Sequence, residues 1–416
     1  MLPGKSRTYH DPLHGAITLN GDDPVEALII RLIDAPEFQR LRRIRQLDTA
    51  FLTFHGAEGS RFTHSLGVMA LTRRAFDGIA DRYPLLRPHR VVVLVAALLH
   101  DLGHGPFSHA GEEILGNHHE LWTVKLIHES SLTAILQGYS ADLPDRLEQV
   151  FTKTYKLPIV HQLVSSQLDC DRLDYLQRDG YFTGARYGQL DLDRILMALN
   201  YDPITQRLVV DKKGTVAIEH YLTVRYFMYL QVYNHPKNIA ARFILEQIYR
   251  RATNLLQTQH LAIDPVVKAW ILQDPNRLSC ANYLAADDIV FGYHVHRWRD
   301  SGDRILMDMC RRYLDRDLFR TIDISDKAPA EQAELLEQVQ NRLRHKGVDP
   351  QYYCGIRVAQ TKGYTIYQQG IEIQTQEGLQ DIVELSALVK TLSRPIEKTL
   401  LLYPKRTINR AMLRLN

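Results

Sequence analysis

The chain has 416 residues, 45% hydrophobic and 24% charged, an ordinary balance for a soluble globular protein with room for one large domain and an appendage. A formal charge of +3 and a pI near 8.5 are too mild to indicate nucleic-acid binding by themselves, and the longest apolar run (91–99) is about half a membrane span. Four scattered cysteines (Cys170, Cys280, Cys310, Cys354) exclude a disulfide scaffold, and the first six residues lack the apolar core of a signal peptide, so a reducing cytoplasm with no membrane partner is expected.

Helical periodicity dominates to about residue 320. Leu28, Ile29, Leu32 and Ile33 share a face, and Phe38, Leu41, Ile44 and Leu47 repeat the pattern after Pro36. A helix starting near Ser60 carries His64, Val68, Leu71 and Ala75 on one side. A second follows Pro88 and runs through 91–99 until Gly103 and Gly105-Pro106 break it, which leaves His100 and Asp101 at its end. Residues 207–210 and 215–218 flank Asp211-Lys212-Lys213-Gly214 and predict a hairpin inserted in the helical body. Amphipathic helices resume over 220–257. The composition changes near 326: 328–344 reads as an exposed charged helix, and 364–367 with 371–373 as a hairpin around Gly370. The fold class is therefore mainly α, with a body at 1–325, a small inserted hairpin and an α+β appendage at 326–416.

The chemistry concentrates in the first half. His64, His100, Asp101 and Asp171 supply two imidazoles and two carboxylates, a ligand set suited to a divalent ion (Mn, Fe, Mg, Zn or Ni) with positions left open for water and phosphate. A lone His on an apolar helix, or an adjacent His-Asp pair, is ordinarily structural. Here Asp101 ends a wholly apolar helix, where a carboxylate needs a cation to offset desolvation. His104, His109, His118 and His119 crowd in behind it. Asp171, Asp174, Tyr175 and Arg178 fall on one helical face, and Arg61, one turn before His64, suits a phosphate. These features point to a metal-dependent phosphohydrolase.

Taken in order, Asp11-Pro12-Leu13-His14-Gly15, Phe38-Gln39-Arg40-Leu41-Arg42, the 61–67 segment, the 100–109 segment and 171–179 resemble the deoxynucleoside triphosphate triphosphohydrolases of the HD-domain superfamily. That group includes the sterile-alpha-motif-and-HD-domain protein and its bacterial relatives. The likeness covers about residues 7–322, with the HD core near 45–200; the chain lacks the sterile alpha motif and so looks like a bacterial-type member.

The resemblance implies that His64, His100, Asp101 and Asp171 hold the metal and that His109 and His119 act near the α-phosphate, oriented by Glu112 or Glu120. It places Arg61, Arg172, Tyr175 and Arg225 on the triphosphate, and Gln46, Leu47, Asp179 and Tyr233 around the deoxyribose. Arg172 stands where a lysine is familiar, and Glu112 where an aspartate is. Arg7, Asp34, Gln39, Arg42, Arg194, His235, Arg316 and Arg320 match activator sites between subunits, while His10 and Pro236 depart from them. The implied reaction is dNTP + water → deoxynucleoside + triphosphate, activated by dGTP or GTP in a homotetramer. The alternatives are hydrolysis of another nucleotide (a monophosphate, a cyclic nucleotide or guanosine tetraphosphate) and a non-catalytic sensor of nucleotides or nucleic acid; nucleic acid is not otherwise indicated as a partner.

Overall fold

The computed structural model describes residues 5–258, 261–361, 363–365 and 370–405. Its body is helical, and its centre is the helix Arg90–Leu99, buried from Val91 through Leu99. A helix apolar on every side needs neighbours on every side. The longer helix Arg61–Arg82 packs along it and also meets the helix Cys170–Thr183, so the three elements carrying the four expected ligands form one packed unit. Pro24–Asp34 buries Leu28, Ile29, Leu32 and Ile33 and is N-capped by Asp23. Before it, strands Arg7–Asp11 and Gly15–Leu19 pair as an antiparallel hairpin.

The Phe38 repeat does not extend into a long helix. Pro36–Gln39 gives way to a 3-10 turn, Arg40–Arg43, within which the buried Arg40 guanidinium donates to the carbonyls of Ala286 and His104.

The inserted hairpin is present, but one of its strands differs from expectation. Arg207–Asp211 pairs with Leu199–Asp202, whereas 215–218 opens the helix Thr215–Met228. Ala217, Ile218, Tyr221, Leu222 and Arg225 form a helical stripe against the core, and that burial overrides the β-branched character of Thr215-Val216. In the C-terminal part, Glu372–Thr375 pairs with Gly378–Asp381, turning at Gly378 (φ +115°) rather than at Gly370. Of the expected partner strand at 364–367, Tyr364 and Thr365 lie in no strand, and 366–367 fall outside the described residues.

The two larger sheets each draw strands from either side of residue 326. Arg207–Asp211 runs parallel to Glu372–Thr375, and Arg320–Asp323 pairs with Ile396–Tyr403, which also pairs with Gly355–Thr361. Among the described residues no helix is long and apolar enough to cross a membrane.

Candidate active site

His64 lies one turn into the helix Arg61–Arg82, on its buried side. His100 caps the end of Arg90–Leu99 and Asp101 follows in the turn, while Asp171 occupies the first turn of Cys170–Thr183, a helix started by Asp169 accepting from Arg172 N. The donor atoms of His64, His100 and Asp101 all fall within 4.8 Å of one another. Asp171 Oδ1 completes the group at 3.0 Å from His64 Nε2 and 3.6 Å from His100 Nε2.

The hydrogen bonds behind these groups test whether a cation fits. His64 Nδ1 donates to Asp174 Oδ2 (2.7 Å) and His100 Nδ1 donates to the Ala97 carbonyl (2.8 Å). Both partners only accept, so each Nδ1 carries a proton, and a cation bound here would meet each ring neutral, with a lone pair on Nε2. These Nε2 atoms face each other at 3.3 Å. Two lone pairs so placed repel, and a cation between them turns that repulsion into ligation. Burial alone would lower the His64 imidazole, but the bonds to Asp171 and Asp174 push it up to about 10, so without a metal ion the ring takes a proton on Nε2 toward Asp171, and a divalent cation would take that proton's place. The residues fit a divalent ion.

Around this centre stand the other expected groups. Arg61 donates to Asp101 Oδ2 (2.6 Å) and Ser108 Oγ (2.9 Å). Against the cost of burial, Arg61, His100 and His104 hold the Asp101 carboxylate well below the usual range. Glu112 accepts from His109 Nδ1 (2.8 Å) and His119 Nδ1 (2.6 Å), so both rings aim Nε2 away from it. Glu120 lines the same cavity as His109, His119, Gln46, Arg61 and Tyr175.

Tyr233 donates to Asp179 Oδ2 (2.8 Å), and its ring meets Tyr175 edge-on at 6.1 Å. Leu47 packs nearby with Ala50, Ala57 and Tyr233. Arg172 Nε donates to the Ser166 carbonyl (2.8 Å), and Arg225 donates through Nη1 to Gln167 Oε1 (3.1 Å), leaving its buried Nε without a partner among the described residues.

The expected activator residues fall into separate patches of the chain. Arg7 pairs with Asp34, and Arg42 donates to Gln39 while covering the Phe62 ring at 3.5 Å. His235 lies edge-on to Phe54, Arg194 is exposed, and Arg316 donates to the Leu52 carbonyl. Burial, Lys405, Arg316 and Arg320 together push the Lys237 ammonium down, so these four cations share one neighbourhood.

Two residues at the site, His104 and Asp288, carry no role in the sequence reading. His104 is fully buried, stacks on His119 at 4.0 Å and sits 3.3 Å from Asp101 Oδ1. Its place three residues after Asp101 was the available signal. Asp288 accepts from Phe107 N (2.7 Å) and Arg45 N (2.9 Å), tying the Gln46 segment to a turn in which Phe107 and Ser108 take φ of 61° and 50°. No periodicity could announce a contact between residues so far apart in the chain.

Two measurable consequences arise here. A Cβ on Gly67 would lie 2.0 Å from Asp174 Oδ1 and 2.4 Å from Arg178 Nη2, so Gly67→Ala is expected to cost about 1–3 kcal/mol of stability in denaturant titration. Burial pushes the Asp179 carboxyl up to about 7, with only the Tyr233 bond and nearby cations opposing it. The folded chain then holds this proton more tightly than the unfolded chain does. Its contribution is complete below pH ~4 and is lost as pH rises through 7, at about 1.4 kcal/mol per pKa unit. Denaturation of the metal-free chain across that range should show this slope, and Asp179→Asn should flatten it.

Three helices bring two histidines and two aspartates together beside a histidine–glutamate cluster, an arrangement suited to a metal-dependent phosphohydrolase. Comparison with known proteins agrees. Residues 61–179 match the HD domain. The chain is 37% identical to the uncharacterized protein YwfO of Bacillus subtilis, over 94% of its own length and 90% of that protein. It is 29% identical to the Dictyostelium discoideum deoxynucleoside triphosphate triphosphohydrolase SAMHD1 homolog over 62% of its length, spanning about half (52%) of that relative. A phosphohydrolase crystal structure from Bacteroides thetaiotaomicron superposes with a TM-score of 0.84 at 29% identity, covering 96% of this chain and 100% of that one. The chain carries an HD domain and belongs to one family with the Bacillus subtilis protein, to which the deoxynucleoside triphosphate triphosphohydrolase of Dictyostelium is a more distant, partly covered relative.

Proposed function

We propose that the chain hydrolyses deoxynucleoside triphosphates to deoxynucleoside and triphosphate, with His64, His100, Asp101 and Asp171 holding a divalent ion. The observation that carries this reading is the company the ligand set keeps: His100, Asp101 and Asp171 line one cavity with Arg61, Tyr175 and the two histidines, His109 and His119, that Glu112 holds. Tyr175 in turn adjoins Arg172, Arg225 and the Tyr233–Asp179 pair. When bound, the ion supplies polarisation of a phosphoryl oxygen and a supply of hydroxide near neutral pH. Arg172 and Arg225 neutralise the phosphates, and the unpartnered Arg225 Nε is a donor awaiting an acceptor. Tyr233, Asp179 and Leu47 close around the sugar. His119 or His109 delivers a proton from Nε2 to the departing 5′-oxygen.

Activation by dGTP or GTP in a homotetramer extends the same proposal. Arg316 and Arg320, with Lys237 and Lys405 beside them, suit the phosphates of an activator, and Arg7, Asp34, Gln39 and Arg42 suit its base from another subunit.

The test is product analysis with each dNTP, singly and mixed, in Mn2+ or Mg2+. Deoxynucleoside plus intact triphosphate supports attack at the α-phosphorus, and turnover only in mixtures containing dGTP supports the activator. Turnover of other nucleotides alone, or of none with metal bound, would replace the substrate assignment.

A further inference from the structure

The motif Asp11-Pro12-Leu13-His14-Gly15 has no role in the proposed hydrolysis. The structure brings it to the back of the metal site. His14 Nε2 donates to Asp174 Oδ1 at 2.5 Å, while His64 Nδ1 donates to Asp174 Oδ2 at 2.7 Å. Arg178 donates to the same carboxylate through Nε (2.7 Å) and Nη2 (3.0 Å), so four N–H groups converge on one side chain with no exposure to solvent.

The turn is built to present His14. Asp11 Oδ1 accepts from the backbone N–H of Leu13 (2.9 Å) and of His14 (3.0 Å), its Oδ2 accepts from Arg178 Nη1 (2.9 Å), and Gly15 closes the turn at φ +67°. On the opposite face the absent side chain of Gly67 makes room for the Asp174 carboxylate. Asp174 is thereby clamped from the N-terminal hairpin, from its own helix and from the His64 helix.

We propose that the turn at 11–15 is a positioning element of the metal site: His14, through Asp174, sets the tautomer and orientation of the ligand His64. This inference rests on the proposed ligand set. A carboxylate accepting from a ligating imidazole orients the ring and raises its basicity, and loss of such outer partners typically costs about 10- to 100-fold in metal affinity. His14 fixes one oxygen of that carboxylate so that the other stays aimed at His64. Without it, Asp174 can rotate toward Arg178 and release the ring.

The full chain, stripped by chelator, is titrated with Mn2+ alone, and bound metal is read by electron paramagnetic resonance beside the melting temperature of the metal-free form. His14→Ala and His14→Phe, which remove the donor, are expected to weaken Mn2+ binding by about tenfold. His14→Gln, which keeps an amide N–H on Asp174, is expected to stay within about threefold of the parent. Should His14→Ala not fold, the Phe and Gln variants carry the comparison, because both fill the ring's space and only one donates. Equal Mn2+ affinity in the parent and the donor-less variants overturns the inference while leaving the ligand set standing. A parent chain that binds no Mn2+ overturns both. A purely structural role for His14 would lower melting temperature without separating Phe from Gln in metal affinity.

Discussion

Asp171→Asn is expected to empty the chain of divalent ion after dialysis and to reduce phosphohydrolysis by more than about 100-fold, with little change in melting temperature. The loss should exceed what removal of an outer partner costs, because a direct donor disappears. Asp171 is the ligand best suited to this test. His64, His100 and Asp101 are buried deeply enough that replacing them disturbs packing, whereas the Asp171 carboxylate is about a third exposed (32%) and faces the open side of the group. Its helix start is secured by Asp169, not by Asp171 itself. Metal content by mass spectrometry and activity on the same preparation decide the matter. Retained metal with retained turnover would remove Asp171 from the ligand set.

His119→Ala is expected to lower turnover by about 100- to 10,000-fold while leaving bound metal unchanged, the range for a lost general acid. Glu112→Ala should do comparable damage, since Glu112 holds both His119 and His109. Groups acting as one unit are not additive, so the double variant should be no worse than the more damaging single. Independent, multiplying losses would show that Glu112 and His119 act separately. His109→Ala is a further discriminant: this ring is largely exposed (59%), and unchanged turnover would assign the proton to His119 alone.

Much of this site was legible in the sequence because its chemistry rides on helices. Arg61 and His64 share a face by spacing, as do Asp171, Asp174 and Tyr175, and the apolar run at 91–99 announces a buried helix that ends on His100 and Asp101. Helical period and side-chain type are local properties, so one strand of residues states them without help. Strands were harder to place. Val209 and Val210 do lie in a strand, but pairing with 199–202 instead of 215–218 depended on which stretch could bury its apolar face against the core.

Which distant groups meet is a matter of packing. The mainly α fold, the expected ligand types and the histidine-rich segment that follows them can all be read from residue order alone. That order held no sign that His14 would reach Asp174 across 160 positions, that Asp288 would hold the Phe107 turn, or that Val210 would pair with Ile373. Such contacts have no period to read. They arise when buried polar groups must find partners and strand edges must be covered, and the packing of the whole chain chooses which partners those are.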